Sequence, residues 1–85
     1  MKDTITDKHI KIFAQRLRAL RNEKGYTQKD LAKIIDCPPS LISYYENAKK
    51  EPGFTNILKL CKEFGESPDY LFGLTNYRSI KKISS

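Results

Sequence analysis

Residues 28 to 47 read QKDLAKIIDCPPSLISYYEN. Leu31, Ala32, Ile34 and Ile35 recur at helical spacing, and Thr27 just ahead of them offers a hydroxyl to cap the helix start. That helix must stop by Cys37, because Pro38 disfavours a helical residue before it. Pro39 then suits the first turn of a new helix, where its missing N–H is no loss. The second run turns Ile42 and Tyr45 inward and ends near Asn47. Two short helices therefore meet through the tight turn Asp36-Cys37-Pro38. Ala32 falls where they cross, and a larger side chain there would push them apart. Ile42 sets the angle between them. The outer face of the second helix is left with Pro39, Ser40, Ser43, Tyr44 and Asn47, all small, polar or aromatic.

On either side the chain stays helical. Ile10, Phe13, Ala14, Leu17, Leu20 and Arg21 share one face and predict an amphipathic helix from Lys8 to Lys24. Asp7 is placed to cap it, and Gly25 fits the left-handed position that closes it. Beyond the break at Pro52-Gly53, Thr55 to Phe64 predicts a fourth helix with Ile57, Leu58, Cys61 and Phe64 as its apolar stripe, ended by Gly65. Ser67 caps a short fifth helix with Pro68 in its first turn and Tyr70, Leu71 and Phe72 available for packing. Strand alternation and internal repeats are absent. The expectation is an all-α, compact five-helix bundle in one domain over 9–74. A flexible N-terminal arm precedes it over 1–8, and a loose basic tail follows over 75–85.

Composition narrows the classes of function. The chain has 85 residues, 39% apolar and 31% charged, the balance of a small folded domain. No apolar stretch approaches the ~20 residues of a membrane-spanning helix, and residues 1–8 are not a signal peptide. A cytoplasmic protein is the default. Cys37 and Cys61 form no Cys-x-x-Cys, and His9 is the one histidine. A zinc site needs four ligands, so no metal or other cofactor is expected, and the two thiols are read as reduced, mostly buried and apolar in behaviour. No nucleophile–base pair and no Gly-rich phosphate loop is present, so an enzyme is not expected. The net charge is +6. Residues 1–50 hold 11 basic and 6 acidic residues, and 75–85 hold 3 basic and none acidic. One end of the fold should be positive, which suits a polyanion, though a merely solvated charged face would read alike.

The central pair of helices has the size and spacing of a helix-turn-helix, and its outer face fits a DNA major groove roughly 12 Å wide. Gln28 to Asn47, with Leu31-Ala32, Ile42-Ser43 and Tyr45-Glu46-Asn47 in register, resembles the Cro and lambda-type repressor helix-turn-helix family, also called XRE-like. The resemblance takes in Arg16-Leu17-Arg18-x-x-Arg21, Lys24-Gly25-Tyr26-Thr27-Gln28, Glu46-Asn47-Ala48-Lys49-Lys50-Glu51-Pro52 and Ser67-Pro68-Asp69-Tyr70-Leu71-Phe72-Gly73-Leu74. It covers about 60 of the 85 residues. It implies a lambda repressor-like DNA-binding domain whose third helix enters the major groove, usually as a dimer on a two-fold symmetric operator. Carried over by position, Pro39, Ser40, Ser43 and Tyr44 would read bases, and Gln28, Asn47, Lys49 and Lys50 would hold phosphates. Arg21, which sits at the edge of an apolar face, would pair with Glu46 as a structural ion pair.

Departures from the family pattern sharpen the picture. Asp36 stands where glycine is usual, and Asp tolerates the left-handed region better than most residues. Pro38 replaces the usual hydroxyl cap of the third helix. Pro39 offers no donor and is limited to apolar contacts such as a thymine methyl. Tyr44 replaces a Gln or Arg, which leaves phosphate binding or stacking open to it. The resulting expectation is a transcriptional regulator, a repressor on a palindromic operator. The rival is an antitoxin or protein-interaction module on the same scaffold. A homodimer is expected, because a two-fold protein matches palindromic half-sites, and Tyr70, Leu71 and Phe72, with Leu74, Tyr77, Ile80 and Ile83 continuing an apolar scatter, are the groups available to it. The alternative is that the first three only close the core.

Overall fold

The computed structural model describes residues 4–79, with side chains from residue 6 onward. Its elements are α1 (Thr4–Glu23), α2 (Gln28–Ile34), α3 (Pro39–Glu46), α4 (Phe54–Phe64) and α5 (Pro68–Phe72). Among the described residues there is no strand. This is the all-α five-helix arrangement expected from the sequence.

The core forms where α1 meets the faces of the other four helices. Phe13, Leu17 and Leu20 of α1 are buried against Leu31, Ala32 and Ile35, Ile42 and Tyr45, Leu60 and Phe64, and Leu71. Phe13 meets the Tyr45 ring edge-on, with centroids 5.7 Å apart, and the Phe72 ring at 5.5 Å. Such ring pairs add about 0.5–1.5 kcal/mol beyond the area they bury. Within this core α3 and α5 both pack against α1, α2 packs against α3, and α4 packs against α5.

Several expectations change. α1 begins at Thr4, so residues 4–8 belong to the helix rather than to an arm. Residues 1–3 lie outside the described residues. Ile34 is exposed, although Ile35 beside it is buried. In α4 the buried residues are Leu60 and Phe64, while Leu58 is half exposed. The run Ile57-Leu58-x-Leu60-Cys61-x-x-Phe64 supports either stripe at three- and four-residue steps, and packing against α5 selects the one through Leu60. The two thiols are free and packed against the core as small apolar groups, as expected, and burial pushes both above their ordinary range.

The first part of the tail is held, not loose. Arg16 donates to the carbonyls of Tyr70 (2.5 Å) and Thr75 (2.7 Å) and to Asn76 Oδ1 (2.8 Å), with its guanidinium over the Tyr70 ring. Arg78 reaches back to Glu66 (2.8 Å) and Glu23 (2.7 Å), and the Ser79 N–H donates to Glu66 (2.7 Å). Glu66 is a buried carboxylate, and one arginine, Arg78, and one backbone donor answer it. These partners lie far apart in sequence, which is why local pattern reading did not find them. Residues 80–85, with Ile80 and Ile83, lie outside the described residues.

Candidate nucleic-acid interface

Thr27 starts α2 through a reciprocal cap. Its hydroxyl accepts from the Asp30 N–H (3.0 Å) while the Thr27 N–H donates to Asp30 Oδ2 (2.9 Å). Two such bonds satisfy donors that a helix start otherwise leaves unpaired. The Thr27 bonds hold the Asp30 carboxyl below its ordinary range. α2 ends when Asp36 turns into the left-handed region at φ 60°. The Cys37 N–H then reaches the Ala32 carbonyl at 2.9 Å and the Asp36 N–H reaches that of Lys33 at 3.3 Å, a Schellman closure made without glycine. Lys59 of α4 donates to the Ile35 carbonyl at 3.0 Å and braces the same turn.

α3 follows from Pro39, and Pro38 supplies no side-chain cap. Its inner face is anchored by Ile42 and Tyr45, both buried, and the Tyr45 hydroxyl accepts from Asn56 at 3.0 Å. Eight residues at 1.5 Å each give a probe of about 12 Å. Pro39, Ser40 and Tyr44 stand exposed on its outer side, and Ser43 is half-buried between them. Asn47 ends the helix with its side-chain amide folded back on Ser43, 2.8 Å from the carbonyl and 3.3 Å from the hydroxyl. In this state its Nδ2 is committed to the helix. Ala48 then takes φ 58°, and the Lys49 N–H bonds the Tyr44 carbonyl at 2.8 Å. Lys49 and Lys50 project from the loop that follows and are exposed.

Glu46 ties these parts together. Arg21 Nε lies 2.6 Å from Glu46 Oε2 and Arg21 Nη2 lies 3.0 Å from Oε1, a two-pronged contact. Arg21 also donates to the Tyr26 carbonyl at 2.8 Å, fastening the turn after α1. The amide of Gln28 donates to the same Oε1 at 3.0 Å. Arg18 reaches Oε1 through Nε at 3.3 Å and the Glu46 carbonyl through Nη2 at 3.4 Å. Burial alone would raise the Glu46 carboxyl. The bonds from Arg21, Gln28 and Arg18 and the charge of Arg21 outweigh it and hold the group below its ordinary range. Arg21 is raised in turn, mainly by its bond to Glu46. Neither the Gln28–Glu46 bond nor the part played by Arg18 was read from the sequence. The signal available was the i, i+3 spacing of Arg18 and Arg21, which puts two cations on adjoining faces of one helix.

A helix-turn-helix family profile matches residues 17–71. The chain is 36% identical over 61 residues to the HTH-type transcriptional regulator ImmR of Bacillus subtilis (strain 168), covering 72% of this chain and 48% of ImmR. It is 33% identical over 60 residues to the SPbeta prophage-derived uncharacterized HTH-type transcriptional regulator YonR of the same organism, covering 71% of this chain and 56% of YonR. The chain thus spans about half the length of these relatives. The crystal structure of the restriction-modification controller protein C.AhdI from Aeromonas hydrophila superposes with a TM-score of 0.67 at 35% identity, over 74% of this chain and 96% of that one.

Proposed function

The chain belongs to the helix-turn-helix family, and from that premise we propose that it is a sequence-specific transcriptional regulator of double-stranded DNA, acting as a repressor. α3 enters the major groove of a palindromic operator, with Pro39, Ser40, Ser43 and Tyr44 at the base edges. Gln28, Asn47, Lys49 and Lys50 meet the phosphates on either side. The observation that carries this reading is the division of α3 into two faces. One is buried through Ile42 and Tyr45, and the other stands free over two turns of helix with small and aromatic groups. A rigid, half-anchored helix of that kind loses little conformational entropy when it binds. Asn47 would have to release Ser43 before its amide met a phosphate, or else use its remaining oxygen through water.

A two-fold protein matches half-sites one helical turn apart, so the reading includes a homodimer. Exposed Leu74 and Tyr77 beyond α5 are the apolar groups nearest the expected interface. A second reading, a protein-interaction or antitoxin module, is favoured by Phe54 and Leu58, which lie one turn apart on α4 and are both exposed. Selection of bound sequences from a random duplex pool, followed by titration of the winner against salt, tests the first reading. One enriched palindrome with salt-sensitive affinity supports it. Equal, weak binding to every duplex, with tight binding to a co-expressed protein, replaces it with the second.

A further inference from the structure

We propose that Arg18 is a phosphodiester-binding residue, placed by Glu46 beside Gln28 at the end of the recognition helix. The inference rests on the DNA-binding reading above and adds a contact supplied by α1.

The charges at this junction do not cancel. Arg18 and Arg21 share the one carboxylate of Glu46. Arg21 takes it at 2.6 and 3.0 Å and is almost enclosed, with 13% of its side chain exposed. Arg18 is 51% exposed and its two bonds to Glu46 measure 3.3 and 3.4 Å, beyond the usual range for such bonds. Arg21 therefore neutralises Glu46, and the surplus positive charge reaches solvent on Arg18. Those long bonds hold its position while contributing little to the fold.

Its position matters as much as its charge. Arg18 Nε and the Gln28 amide nitrogen meet at the same oxygen, Glu46 Oε1. Arg18 Nη2 lies against the Glu46 carbonyl, next to Asn47. One cation of α1 is thus set between the start of α2 and the end of α3. With α3 in a major groove, the ends of these helices face the sugar–phosphate wall. Guanidinium groups suit phosphate oxygens better than point charges do, because several N–H groups share one plane.

The full chain, as wild type, Arg18→Gln and Arg18→Lys, is titrated onto the selected duplex over a range of salt, and thermal melting is followed in parallel. Arg18→Gln is expected to flatten the slope of log K against log salt by about 0.9, with Arg18→Lys keeping most of it. The loss should be equal on the selected site and on a scrambled duplex, and the melting temperature should stay close to wild type. An unchanged slope in Arg18→Gln, whether or not melting shifts, overturns the inference and leaves Arg18 a minor partner of Glu46. If wild type binds no duplex at all, the DNA-binding reading fails first and this one with it.

Discussion

Arg21 and Glu46, 25 residues apart, lock α1 to the last residue of α3 through two hydrogen bonds of 2.6 and 3.0 Å. The Glu46 side chain is fully enclosed. The pair fixes how the end of α3 is held against α1, so the stability of the domain and the orientation of α3 share one contact. Breaking a buried pair by removing one partner leaves the other charge uncompensated and costs about 3–5 kcal/mol. Arg21→Ala should therefore lower the urea midpoint sharply at constant m. An unchanged midpoint would mean that the contact holds nothing.

The same carboxylate makes the domain sensitive to acid. Its folded value lies below its ordinary one, so the stability it brings is complete above the ordinary glutamate value of about 4.3. That stability drains away as pH falls through the lower folded value. Asp30, lowered by the Thr27 bonds, adds a contribution of the same sign. Unfolding midpoints measured from neutral pH down to pH 3 should fall steeply in wild type. The fall should be shallower in Glu46→Gln, although that variant begins from a lower midpoint. Parallel curves would assign the acid loss to other groups.

Two left-handed positions give opposite expectations. Ala48 sits at φ 58°, where an L-residue is strained, and the position closes α3. Ala48→Gly should raise stability by about 0.5–1 kcal/mol, the relief of strain exceeding the added freedom of the unfolded chain. Gly73 sits at φ 80°, and a Cβ there would lie 2.7 Å from Ile12 Cγ2. Gly73→Ala should destabilise by more than 1 kcal/mol, through strain and the shift forced on Ile12. Thermal melting of the two variants checks both signs.

Arg78 tests the strap beyond α5. Glu66 is buried and accepts from Arg78 Nε and the Ser79 N–H. Arg78→Ala would leave that carboxylate with the backbone donor and cost about 1–2 kcal/mol, below the full penalty because solvent reaches the vacated place. Faster amide exchange over residues 74–79, with α2 and α3 unaffected, is the accompanying signature. Exchange that stays at the wild-type rate would mean the segment is held by Arg16 alone.

Base reading and phosphate holding separate by their dependence on sequence. Ser40→Ala and Tyr44→Ala should alter the preferred operator, by about 1–3 kcal/mol wherever a base contact is lost. Lys49→Ala and Lys50→Ala should weaken all duplexes alike and each flatten the salt slope by about 0.9. Uniform weakening in Tyr44→Ala would place its hydroxyl on a phosphate.

Local chemistry by itself determined the helices and their breaks. Thr27 and Asp30 cap α2, Pro38 and Pro39 divide α2 from α3, Ser67 and Pro68 open α5, and Ile42 and Tyr45 mark the inner face of α3. Each depends on neighbours within four residues, so a single chain shows them. Tertiary structure alone decided that Leu60 enters the core while Leu58 and Ile34 do not, since periodicity names a stripe but not the helix that comes to cover it. It also decided that Glu46 gathers Arg18, Arg21 and Gln28, and that Arg16 and Arg78 bind the start of the tail. Those contacts are made by long flexible side chains across 12 to 60 positions of chain, and only the packed backbone brings their partners within reach.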